Sequence, residues 1–354
     1  MSEKMKLEIP QTRGSFSLVG VVEGVTSTSF YTESTTQNNK TMRTVRFGVR
    51  TSTNNKVYVT LRGFIKDKVY FSKRVKTEDG KQKTETKAVN WDQRTTFSEK
   101  DYRLIGVNLG LSKKLDEKGN EVNDNMVLVE YDACLKISQL LKDGMAVFVK
   151  GSMETSSFVD KNGNTRVNVD LQPNQISLLK DQSYTVPTDE SLATKNDLND
   201  LPATFETTIV YKGIQVNREE PSILTAYSVG YRNLCEVDFT IHSQSLANIF
   251  SNPAKIKPYS SIKVKGIIVN SAIEKVDENA DDGWGMEDSS TKITEYVREY
   301  IITRAEPNSI DTKTYSKESI EKAMTSMNEF KQGTQTNIFA NTTANVIDDE
   351  EEWG

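Results

Sequence analysis

Histidine occurs once in 354 residues and cysteine twice, and those scarcities close most routes to chemistry. A hydrolytic triad would need His242 beside an acidic orienter and a nucleophile, and zinc sites usually draw on more His and Cys than this chain can gather. In Phe239-Thr240-Ile241-His242-Ser243 the residue reads as the end of a strand. Cys134 and Cys235 lie far apart among apolar neighbours. Neither a disulfide framework nor a thiolate metal site is expected, and a reducing cytoplasm is the default compartment. No phosphate-cradling Gly-x-x-x-x-Gly-Lys-Ser/Thr loop and no Gly-x-Gly-x-x-Gly is present. Acidic residues are plentiful, but no spacing among them favours a carboxylate metal site. No apolar run approaches a membrane span, and Met1–Lys6 lacks the apolar stretch of a signal peptide. The expectation is a protein without catalytic residues, cofactor, metal or membrane segment.

What is present is charge of one sign, concentrated. With 36% hydrophobic and 27% charged residues, the chain has room for two cores and a tail. Arg43–Lys114 holds 18 Lys/Arg against 7 Asp/Glu, a net of +11 in a chain whose total is −5. A positive segment in a negative protein is the footprint of a polyanion. Alternation sharpens it. In Thr44–Arg50, Val45, Phe47 and Val49 share one face while Arg46 and Arg50 share the other. In Val57–Phe64, Val57, Val59 and Leu61 oppose Tyr58, Arg62 and Phe64. Guanidinium groups suit phosphates and rings suit unstacked bases, so two such strands point to a nucleic acid.

Around them, Ser15–Val25 predicts a long bent strand with Gly20 and Gly24, and Ser27–Thr41 a polar loop carrying Phe30 and Tyr31, which either stack on bases or pin the loop. Residues 65–125 read as a long insertion with hairpin turns at Asp79-Gly80 and Lys118-Gly119. It offers Tyr70, Lys73, Arg74, Trp91, Arg94 and Arg103 as further phosphate and base contacts, and Trp91 is equally suited to a core. Tyr131–Lys142 predicts a helix with Cys134, Ile137 and Leu141 inward and Gly144 as its stop. Strands follow on either side of a turn at Asp160–Gly163, Phe158 before it and Val167, Val169 and Leu171 alternating after it.

A bent strand, two more strands, a helix and a Gly-centred hairpin is the order of the five-stranded OB-fold barrel. The run Lys142-Asp143-Gly144 through Val149-Lys150-Gly151, then Phe158 to Arg166, resembles the corresponding part of bacterial and phage single-stranded DNA-binding proteins. The resemblance covers about forty residues well and residues 14–180 loosely. It implies a sequence-independent grip on single-stranded DNA, with Phe158 and Arg166 beside the basic strands.

Residues 181–203 read as a polar linker. Residues 204–312 carry strands, a short helix Gln244–Phe250, and a second Val-x-Gly element in Val264-Lys265-Gly266, which together suggest a divergent second barrel. Its net charge of −5 argues for packing or protein contact, with Lys263 and Lys265 as a local basic patch. Within it, Asp277–Ser290 is an acidic loop that carries Trp284. Residues 313–330 predict an amphipathic helix, with Ile320, Met324 and Met327 on one side and Ser316 as cap. Residues 331–354 predict a disordered tail ending in Asp348, Asp349, Glu350, Glu351, Glu352 and Trp353. The resembled family also ends in a flexible acidic tip, usually closing in Pro-Phe rather than Trp353-Gly354. That implies recruitment of replication or recombination proteins, phage-encoded ones in a host cytoplasm. The expected fold class is therefore mainly β: tandem OB-fold-like barrels, short helices and an acidic tail. The expected function is to coat and protect single-stranded DNA in replication, recombination or repair. A virion structural or adaptor protein built from β-barrels is the rival, and it would show no salt-sensitive DNA binding.

Overall fold

The computed structural model describes residues 7–36, 39–77, 79–159, 165–195, 197–276 and 292–329. The expected turn at 160–163, the loop with Trp284 and the acidic tail with Asp348–Trp353 lie outside the described residues.

The chain is mainly β. Its opening strands are β1 (Gly14–Glu23), β2 (Tyr31–Thr35), β3 (Thr41–Arg50) and β4 (Lys56–Phe64). An excursion adds β5 (Lys68–Lys76), β6 (Gln82–Asn90) and β7 (Arg103–Leu104). Then come β8 (Val107–Gly110), β9 (Lys113–Leu115), β10 (Glu121–Asn123) and β11 (Met126–Leu128). Helix α1 (Glu130–Leu140) leads to the long hairpin β12 (Ala146–Val159) and β13 (Thr165–Leu178). After α2 (Asp189–Ala193) come β14 (Ala203–Gln215), β15 (Ser222–Val229), β16 (Leu234–Ile241), α3 (Gln244–Phe250), β17 (Ser261–Val276) and β18 (Lys292–Asp311). A final helix, α4, spans residues 317–329.

Two rings of strands emerge, each with OB-fold connectivity. In the second, β14 pairs with β15, β15 with β16, β16 with β18 in parallel, β18 with β17, and β17 with β14. In the first, β1 pairs with β3 and β12, β3 with β4, and β12 with β13. Its third strand is divided. The edge expected of β4 lies beside β13 without ladder hydrogen bonds, and β8 supplies the parallel partner instead (Gln175 opposite Asn108, Ser177 opposite Gly110). Within the expected 65–125 insertion, 68–104 leaves the barrel, β8 and β11 rejoin it, and β9 and β10 form a separate hairpin between those two.

The Val-x-Gly element recurs for a steric reason. At Lys150/Gly151 the β12–β13 register skips Asn174, and at Lys265/Gly266 the β17–β18 register skips Thr303. Each skip is a bulge that bends the hairpin round its barrel. A Cβ at Gly151 would stand 1.9 Å from the Gln172 carbonyl oxygen, and one at Gly266 would stand 1.9 Å from that of Ile301. Only glycine fits under the bulge.

The barrels are stitched together, not strung on a linker. The first half of β1 pairs with the first half of β14, Phe16 opposite Phe205 and Leu18 opposite Ala203, and one hydrophobic core runs through both rings. Each side chain fully buried there contributes ~1.5–3 kcal/mol. The segment expected to be a linker is tied down as well: Asp189 accepts hydrogen bonds from Ser52, Thr53 and Asn54, and the Thr53 amide donates to the Pro187 carbonyl. Helix α4 buries Ile320, Ala323 and Met327 against Val210, Tyr227 and Val229 of the second barrel, with Ser316 accepting from the Ser319 amide as its cap.

Candidate nucleic-acid interface

Strands β3 and β4 alternate as their sequences dictate. Val45, Phe47, Val49, Val57, Val59 and Leu61 are buried, which forces the intervening residues outward. The outward row of β4 is Tyr58, Thr60, Arg62 and Phe64, with Thr44 and Arg46 beside it on β3. Facing this row is the β17–β18 hairpin. At 16 and 20 residues its strands are too long for their own barrel, and they reach across to the first. The Asn55 side chain donates to the Ile268 carbonyl (2.9 Å) and accepts from the Asn270 amide (2.7 Å), while the Asn270 side chain donates to the Lys56 carbonyl (2.6 Å). These bonds lock the hairpin onto the β3–β4 turn.

Between the two walls lies a groove of ≈ 660 Å³. Arg46, Tyr58, Arg62 and Phe158 line it from the first barrel, Arg298 and Tyr300 from the second. A further ≈ 340 Å³ continues it past Tyr58 and Asn270 to Arg50 and Lys56. Five cations and two carboxylates, Glu23 and Asp170, bound the whole trough. Tyr58 is 42% exposed and Phe158 55%, so both rings offer a face to a ligand. The Arg46 guanidinium lies 5.2 Å from the Tyr58 ring centre and the Lys56 ammonium 5.6 Å, which orients the ring between two charges. Arg62 reaches Asp170 at 3.4 Å, and Asp170 also accepts from Asn168 at 2.9 Å. Arg50 and Lys56 share Glu23. Burial works against the Lys56 ammonium, but Glu23 and the Tyr58 hydroxyl outweigh it and raise its pKa. Arg298 donates to the Val169 carbonyl at 2.7 Å and so bridges the barrels.

Five of the thirteen residues expected at the site thus meet in the trough: Arg46, Arg50, Tyr58, Arg62 and Phe158. Arg166 stands directly across the ladder from Phe158. Phe64 ends the outward row of β4 half-buried. Tyr70, Arg74 and Arg103 lie on the 68–104 excursion, outside the trough. Lys73 is turned to the opposite face of its strand, 3.2 Å from Glu85 and over Tyr102.

Trp91 and Arg94 are corrections. Trp91 packs edge-on against Tyr131 (6.0 Å) in a small core with Phe71, Val89 and Val129, and the Arg94 guanidinium covers its ring at 4.4 Å. Arg94 is held by both oxygens of Asp132, at 2.7 and 3.2 Å. With Lys66–Glu130 (3.0 Å), these contacts bolt the excursion to the first turn of α1. A tryptophan amid basic residues has no local signal to tell a stacking ring from an anchor. Phe30, too, is buried in the core and pins its loop. Lys263 and Lys265 do not form a basic patch, since both are paired with Glu206 and Glu306.

Arg298 was missed by sequence reasoning. The signal was there: Tyr296, Arg298 and Tyr300 repeat at period two, as in β4, but in a region judged by its net charge. Among the described residues no three His, Cys, Asp or Glu are arranged to hold a metal ion, and no helix is long and apolar enough to cross a membrane. His242 follows β16 and stands 3.9 Å from Glu299. The buried Cys134 thiol is pushed up to about 12 by desolvation.

Fold and site together define a tandem OB-fold protein with a cationic, ring-bearing trough between its barrels. The chain belongs to the YorF family, whose model matches residues 14–337. No curated protein matches it. Among solved structures it is similar to the wild-type single-stranded DNA binding protein from Thermus aquaticus, at 10% identity over 84% of this chain and 93% of that one, with a TM-score of 0.36. A deletion mutant of the same protein gives 10% identity, 84% and 94% coverage, and 0.35.

Proposed function

We propose that the protein binds single-stranded DNA in the trough between its barrels, without reading sequence. One observation carries this: Tyr58 and Phe158 stand exposed among Arg46, Arg62 and Arg298 in one groove. Phosphates would be neutralised by the guanidinium groups, and bases would lie on the two rings. A base offers its face to a side chain only when unpaired, so a duplex cannot use the rings. Every base has such a face, so sequence preference is slight. In this reading the protein acts as a binder, not an enzyme.

Coating unpaired strands during replication, recombination or repair is the role this mode of binding serves in the cytoplasm. The acidic residues Asp348–Glu352 and Trp353 serve in this reading as a docking peptide for replication or recombination proteins. The test is a salt series on labelled dT oligonucleotide, the matching duplex and the matching RNA. Tight binding to the single strand that weakens steeply with salt is expected, with duplex binding far weaker. Equal affinity for duplex and single strand, or no retention of either, overturns the proposal.

A further inference from the structure

The 68–104 excursion carries charge that the trough does not use. Its three strands form a separate sheet, β6–β5–β7. Register and alternation sort their side chains onto two faces. On one face stand Val69, Phe71, Lys73 and Val75, opposite Val89, Lys87, Glu85 and Lys83, with Leu104 beside Phe71. That face holds the small core and its ion pairs, Lys73–Glu85 and Lys87–Glu99. The other face carries Lys68, Tyr70, Ser72, Arg74 and Lys76 on β5, with Arg103 directly opposite Ser72. Its β6 partners are Asn90, Ala88, Thr86, Thr84 and Gln82. It contains four cations and not one carboxylate.

None of Lys68, Arg74, Lys76 or Arg103 makes an ion pair among the described residues, whereas the strand carboxylate, Glu85, faces the other way. Tyr70 is 51% exposed in the middle of this face, and Ile105, whose amide donates to the Tyr70 carbonyl, is 52% exposed beside it. An exposed ring within a field of unpaired cations repeats the chemistry of Tyr58 in the trough. The two sites are also consecutive. The outward row of β4 runs Tyr58, Thr60, Arg62, Phe64, and only residues 65–67 separate its end from Lys68. Four residue steps span at most ~14 Å.

We infer that this face is a second contact surface for the same unpaired strand, which leaves the trough past Phe64 and lies across Tyr70 toward Arg74 and Arg103. The inference rests on the trough reading for the direction of the strand, but it has its own residues. A bare sheet face of this kind suits stacking on a flexible chain, and its anchoring to α1 through Arg94–Asp132 holds it in place without occupying the outer face.

The test uses the full chain and two dT oligonucleotides, one only long enough to fill the trough and one several nucleotides longer. The wild-type protein is expected to show a steeper salt slope on the longer strand. In R74A/K76A/R103A that excess disappears, a fall of about 2 in the slope for three lost phosphate contacts, while binding of the short strand is unchanged. Tyr70→Ala weakens the long strand alone, by about tenfold for one lost stack. Equal wild-type slopes on both strands, or an excess that survives the triple substitution, overturn the second surface. The trough reading fails separately: it falls if R46A/R62A binds the short strand as the wild type does.

Discussion

The two barrels of this chain share a strand order, a bulge over glycine in the fifth-strand hairpin and a helix before the fourth strand, yet they hold their cations differently. On the first, Arg50 and Lys56 share the single carboxylate of Glu23, Arg62 meets Asp170 only at 3.4 Å, and Arg46 makes no ion pair among the described residues. On the second, Lys263 and Lys265 sit between Glu206 and Glu306, each lysine within 4.0 Å of both carboxylates. Surface pairs of this kind add little stability. What they remove is availability: a lysine already matched to two carboxylates gains little from a phosphate. The barrel architecture is thus neutral about function, and the local partners of its cations decide which face can take a polyanion. The second barrel contributes where its long hairpin carries Arg298 across to the first.

The largest expected effect tests what the barrels share. Gly151→Ala and Gly266→Ala each place a methyl group against a ladder carbonyl, and each is expected to cost ~3 kcal/mol or more in urea unfolding, because backbone on both sides cannot give way. Since one core runs through both rings, either variant should melt in a single transition. A variant that loses only its own barrel would break the account of the stitched strands.

The next three divide the barrels. Tyr58→Ala is expected to weaken single-strand binding by ~1–3 kcal/mol in a fluorescence titration, the cost of one stacked base. R46A/R62A should lower the salt slope by about 1.4, while K263A/K265A should leave it unchanged. Equal losses from the two pairs would erase the contrast. E206Q/E306Q should move the other way, freeing both lysines and raising the salt slope above wild type.

The smallest effect is one of pH. Hydrogen bonds from Lys265 and then Lys263, against some desolvation, hold the Glu206 carboxyl below the usual carboxylate range. Its contribution to stability is present above the unfolded carboxylate pKa and is lost only as pH falls through the lowered folded value. Lowering pH from 8 to 5 should therefore leave Lys265 paired, and single-strand affinity should not rise as it does in E206Q/E306Q.

Much of the first barrel is legible in the sequence. Alternation in β3 and β4 separated the buried valines from Arg46, Tyr58 and Arg62, because strand period depends on neighbours two residues apart. Gln244–Phe250 reads as a helix from its own sequence and is one. The two Val-x-Gly elements could be matched to each other, although the carbonyls that exclude a side chain there, of Gln172 and Ile301, belong to the following strand. Illegible were the division of the third strand between β4 and β8, the pairing of β1 with β14, and the packing of Trp91 against Tyr131. Each depends on a partner far along the chain.

Composition and period settled, from the chain alone, which strands would form, which side of each would face water, and that cations and rings would share a side near the N-terminus. Whether a given cation stayed available was a tertiary matter: Arg94 met Asp132, Lys265 met Glu206 and Glu306, and Arg46 met an open groove. Side-chain orientation follows from a residue's immediate neighbours, but charge neutralisation and ring burial follow from whatever the folded chain brings within a few ångströms.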